Sequence, residues 1–81
     1  MSADNYLWVR KWQGRYYVSQ EFASDEVNAS APPNPRAVAF NTPTEACSYA
    51  HQQELEDYFE YGVFLTPEVS DELAQLATIK P

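Results

Sequence analysis

The alternation of hydrophobic and polar positions is sharpest near the N-terminus. From Tyr6 to Trp12, and again from Arg15 to Phe22, β-branched and aromatic residues recur with the two-residue period of a strand. Gln13-Gly14 separates the two runs, and a two-residue connection ending in glycine is the signature of a tight hairpin. With Gln13-Gly14 as the loop, Trp12 faces Arg15, Val9 faces Val18 and Leu7 faces Gln20. The pleat then sorts the side chains. Leu7, Val9, Lys11, Tyr16, Val18 and Phe22 share one face, and Tyr6, Trp8, Arg10, Trp12, Arg15, Tyr17 and Glu21 share the other.

Regularity stops at Ala23. Ser24, Asp25, Asn28, Ser30 and the group Pro32-Pro33-Asn34-Pro35 resist both helix and ladder, so residues 23–36 read as a long, flexible surface loop. Ala37 to Phe40 is apolar enough for a third strand. It runs into Thr42-Pro43-Thr44-Glu45, a helix start in which Thr42 caps, Pro43 takes the first helical position and Glu45 can close a capping box. The helix should run from Pro43 to about Asp57 or a few residues beyond. Its apolar stripe is weak: Ala46, Tyr49 and Ala50 turn inward, with Cys47 and Leu55 as further candidates. Gly62 ends the helical tendency, and Tyr61 to Leu65 reads as a fourth strand or extended segment. Thr66-Pro67 repeats the strand-to-helix device, and Val69, Leu73 and Leu76 mark a short final helix.

The order ββ-β-α-β-α predicts a single α+β domain. Its N-terminal hairpin extends to a three- or four-stranded, mainly antiparallel sheet, with one longer helix packed on it and a short C-terminal helix. Composition agrees: with 44% hydrophobic and 15% aromatic residues the 81-residue chain is globular, but so short a chain builds a thin core. Cys47 is the one cysteine, so an internal disulfide is excluded and a reducing compartment is favoured. No run is apolar for the eighteen or so residues of a membrane span, and Met1 to Asn5 has no signal-peptide pattern. Together these predict a cytoplasmic protein.

Charge divides the chain. Residues 1–36 carry four acids and four bases and sum to zero, whereas residues 37–81 carry eight acids against Lys80 and hold the whole net charge of −7. An acidic half disfavours nucleic acid and anionic membrane as partners for that surface, and favours a basic one.

Reactive constellations are sparse. Cys47, His51 and Glu54 follow one helical stripe and could each ligate a metal, but no other histidine or cysteine is present to complete a site. Cys47 also lies past the first helical turn in acidic surroundings, which favour thiol over thiolate. No catalytic residue, cofactor or metal is therefore assigned, and an enzyme is not expected.

Two surfaces remain. The stretch Glu54, Glu56, Asp57, Glu60, interrupted by Tyr58, Phe59 and Tyr61, can engage a basic groove, and reads equally as ordinary solubilising charge beside core aromatics. On the hairpin, Trp8, Arg10, Trp12, Arg15 and Tyr17 interleave rings with guanidinium groups as single-strand nucleic-acid platforms do. Against that second reading stands coverage of the same face by the C-terminal helix or a partner subunit, which the net charge favours.

The opening Met1-Ser2-Ala3-Asp4-Asn5-Tyr6, the segment Phe22-Ala23-Ser24-Asp25-Glu26 and the helix-ending Glu60-Tyr61-Gly62-Val63 resemble a loose group of short, uncharacterised phage and prokaryotic proteins. The resemblance implies a phage or mobile-element setting, in which small acidic proteins often block host machinery, and it assigns no activity to any residue. The resulting expectation is a small interaction protein, possible as a homodimer, whose residues Glu54, Glu56, Asp57 and Glu60 meet a basic protein surface. Its rival is a single-stranded nucleic-acid module using the hairpin's aromatic and arginine face.

Overall fold

The hairpin forms with the register that the alternation predicts. In a computed structural model that describes residues 4–57, 59 and 61–79, β1 (Asn5–Trp12) and β2 (Arg15–Phe22) pair antiparallel, with Val9 opposite Val18 and Trp12 opposite Arg15. Gln13 and Gly14 both take positive φ, at 50° and 82°. That left-handed pair is what a two-residue turn needs to match the strand twist, and it explains the glycine.

Two short strands complete a four-stranded sheet of order β3-β2-β1-β4. On one side β3 (Val38–Phe40) pairs antiparallel with β2, and on the other β4 (Val63–Leu65) lies parallel to β1. Backbone bonds bracket the parallel pairing: the Leu7 amide donates to the Gly62 carbonyl at 2.9 Å, and the Thr66 amide donates to that of Val9 at 3.0 Å. Gly62, at φ 72°, turns the chain into β4. The sheet is thus mixed, with its one parallel pair made possible by α1 (Pro43–Glu56) as part of the crossover.

Both helices open on the expected proline, but the expected threonine cap forms at Thr42 and not at Thr66, whose hydroxyl is buried without a hydrogen-bond partner. The Thr42 hydroxyl accepts from the Glu45 amide at 3.1 Å, with Pro43 inside the first turn. In α2 (Pro67–Ile79) the Ser70 amide donates to the Thr66 carbonyl at 2.9 Å. Neither helix is long and apolar enough to cross a membrane, among the described residues.

Both helices pack on the same sheet face. Leu7, Val9, Tyr16 and Val18 from the sheet, Ala46 and Ala50 from α1, and Val69 from α2 form the buried core. The two alanines, wholly buried, let α1 sit close to the strands. Phe40, Tyr49, Phe59, Val63, Leu65 and Leu73 close the margins.

The opposite face is not covered by the C-terminal helix, one of the two covers the sequence suggested. Residues from the 23–36 loop cross it instead, and the fastening is Arg10. Its Nη2 donates to the carbonyl oxygens of Ala29 at 2.5 Å and Ala31 at 2.6 Å, while the guanidinium lies 5.1 Å from the centre of the Trp8 ring. The loop's own backbone bonds, Ala31 to Asn28 and Ala37 to Asn34, are local turns. A proline-rich segment without ladder bonds needs such an external donor to settle on a sheet.

Candidate interaction surface

The helical layer collects the acidic half of the chain. Between Ala37 and Ile79 there is no lysine or arginine, and both helices of that stretch lie on one side of the sheet. Glu45, Glu54, Glu56, Asp57, Glu68 and Asp71 are all exposed there. Glu60 lies outside the described residues.

Glu72 is the exception. Its carboxylate accepts from Lys11 Nζ at 2.7 Å and from the Tyr16 hydroxyl, so α2 is tied to both strands of the hairpin. The bond to Lys11, then that to Tyr16, holds the Glu72 carboxyl below the usual range. The bond to Glu72 in turn raises both Lys11 and Tyr16. These shifts strengthen the existing charge states and suit a fastener rather than proton transfer. Among the described residues this is the one lysine–carboxylate pair, and Glu54 is the other helical carboxylate with a basic side chain at ion-pair distance, His51 at 3.5 Å.

The C-terminal end of α1 is the feature that sequence reasoning placed wrongly. Leu55, a candidate for the interior, is 88% exposed. The reason is helical phase: at about 100° per residue, Leu55 lies about 180° around the axis from buried Ala46. Glu54 and Glu56, one residue either side, project about 100° to its left and right. The leucine therefore stands outward between two carboxylates, and Asp57 caps the helix in extended conformation with its amide donating to the Gln53 carbonyl at 2.9 Å.

Within the helix Glu56 accepts from Gln52 Nε2 at 3.3 Å and Glu54 lies 3.5 Å from His51 Nδ1, but the charge is badly placed for the helix dipole. Carboxylates in a last turn oppose the macrodipole, and the last turn of α1 holds no basic residue. Glu45 and Glu68, in first turns, are favourable by the same rule.

Along the flank of α1 runs an open groove of about 710 Å³, lined by Thr44, Cys47, Ser48, His51 and Leu55, with Leu73 of α2 on its other side. Those α1 positions follow the three- and four-residue spacing of one helical stripe, and Gln52 and Glu56 line the groove from the adjoining row. His51 Nδ1 lies 3.5 Å from a Glu54 oxygen, and burial pushes the Cys47 thiol up, so it stays protonated near neutrality. No three His, Cys, Asp or Glu side chains among the described residues cluster as metal ligands would.

On the other side of the sheet, the aromatic and arginine residues are placed unevenly. Arg10 is 3% exposed and engaged with the loop carbonyls, whereas Arg15 is exposed. Trp8, Trp12 and Tyr17 are half-buried. Tyr6 packs against Phe64 with ring centres 5.1 Å apart, and beside them Tyr61 and Ala23 complete a shallow hollow.

Fold and surface define a small α+β protein with exposed carboxylates gathered on its helical layer. Comparison with known proteins adds no relative: no family model, no curated protein and no solved structure matches the chain.

Proposed function

We propose that the protein is a small acidic interaction module of the cytoplasm that docks its helical layer on a basic surface of a partner protein. The observation that carries this reading is Leu55, almost fully exposed between Glu54 and Glu56 on a layer without lysine or arginine. An apolar anchor ringed by charge is the layout of an interface centre and rim. Burying such a leucine against a partner contributes about 1.5–3 kcal/mol, and the flanking carboxylates steer the approach. The charge at the end of α1 opposes the helix dipole, and its exposed carboxylates are accessible to a partner. The resemblance of the terminal motifs to phage proteins supports a modulator of host machinery as the setting.

Single-stranded nucleic acid is the weaker reading. Arg10, the central guanidinium of the aromatic face, is 3% exposed and its Nη2 already donates to Ala29 and Ala31. Titrating tryptophan fluorescence with short oligonucleotides at low salt tests it, since stacking on Trp8 or Trp12 would quench emission.

For the leading reading, the tagged protein is used to capture partners from the cells it comes from, alongside a Glu56→Lys/Asp57→Lys variant. A basic protein held by the native chain, released by raising salt to a few tenths molar and lost with the variant, is the expected result. Equal recovery by both chains would remove the acidic layer from the interface.

A further inference from the structure

The groove beside Leu55 narrows the kind of surface that fits. We infer that it seats an amphipathic, basic helix of a partner protein, laid along α1 with its apolar row between Leu55 and Leu73. This inference rests on the reading of the helical layer as a docking surface for basic protein.

Shape comes first. The stripe Thr44, Cys47, Ser48, His51 and Leu55 covers three helical turns, about 18 Å at 1.5 Å per residue. Small side chains at its start permit close approach of another backbone, and Leu55 rises at its end as a stop. A lengthwise track of this kind suits a helix in a groove, read by residues three and four apart. An extended peptide would seek a sheet edge instead.

Charge then selects the occupant. The helical layer carries no lysine or arginine from Pro43 to Ile79, and Glu45, Glu54, Glu56, Asp57, Glu68 and Asp71 are exposed on it. A second copy of this chain would bring its own acidic helices against these, at −7 for each molecule, so self-association through this groove is disfavoured. A helix with lysines flanking a leucine row meets Glu56, which lines the groove, with opposite charge and Leu55 and Leu73 with apolar surface.

The test uses two synthetic peptides of identical lysine, leucine and alanine composition, about fourteen residues long. One places leucines at helical spacing and the other scrambles them. Each is titrated into the full ¹⁵N-labelled chain at low salt and followed by amide shifts. The amphipathic isomer should bind at least about tenfold more tightly, with shifts gathered at Thr44, Cys47, His51, Leu55 and Leu73. Leu55→Ala should weaken it about tenfold with unchanged circular dichroism, because Leu55 is exposed and absent from the core.

Equal binding of both isomers would overturn the groove while leaving a purely electrostatic acidic layer in place. Failure of both to bind would overturn the groove and weaken the wider reading with it. Sedimentation showing a dimer that Leu55→Ala dissolves would put a second copy in the groove and overturn the inference as well.

Discussion

The two faces of the sheet are covered in opposite ways. On one, two helices press apolar side chains onto Leu7, Val9 and Val18, and the contact is area-driven and cooperative. On the other, a loop without regular structure is fastened by one buried guanidinium, with its Nε left without a hydrogen-bond partner. A packed face shares its stability among many neighbours, whereas a pinned loop stands or falls with its pin. The first should therefore open with the whole molecule, and the second by itself.

Val9→Ala should give the largest effect, because Val9 is wholly buried beneath the helical layer. Removing two carbons there costs about 2–3 kcal/mol with the cavity included, enough in so small a domain to lower Tm by roughly 10–15 °C. Thermal unfolding followed by circular dichroism measures it. A loss below about 0.5 kcal/mol would mean that the helical face relaxes freely and that the contrast between the faces is false.

Arg10→Met should act locally and less strongly. It keeps much of the side chain's length over Trp8 but removes both donors to Ala29 and Ala31. Those carbonyls can turn to water, so global stability should fall by about 1 kcal/mol while the 23–36 segment becomes sensitive to limited proteolysis. Unchanged cleavage between Ala23 and Arg36 would show that the loop holds its place without the guanidinium. A loss as large as that of Val9→Ala would make the loop part of the cooperative unit.

What was legible in the sequence follows the same division. Local rules that act within a few residues were readable: the Gln13-Gly14 turn and its register, the Thr42 cap, and the prolines that open each helix. Long-range choices were not. Nothing in Val63-Phe64-Leu65 states that β4 runs parallel beside β1, because that depends on how far the α1 crossover carries the chain. Nor does the loop composition reveal that Ala29 and Ala31 carbonyls will meet Arg10, since alanine carries no side-chain signal for it. Of the candidate site, the acidic bias was visible and its gathering into one layer was not, because strand alternation does not say which face the helices take. Leu55 could have been placed by helical phase measured from Ala46 and Ala50, had those small residues been weighed above the larger leucine.

The smallest expected effect sharpens the comparison through a second polar fastener, this time on the helical side. Glu72 binds Lys11 and Tyr16 at the margin of the packed face, where apolar contacts already hold α2 in place, so its loss should matter less than the loss of Arg10 does to its loop. Its carboxyl is held below the ordinary range when folded, so its contribution is present above that range and disappears as pH falls through the folded value. Lys11 and Tyr16 are raised, so their share is present at neutral pH and is lost as pH climbs beyond about 10. Glu72→Gln should accordingly be less stable than the native chain at pH 7, with the gap closing below about pH 4 and again above about pH 10. Denaturant unfolding at those three pH values measures the gap. A gap that stays constant across them would assign the tie to neutral hydrogen bonding and packing, and the helical face would then owe nothing to charge.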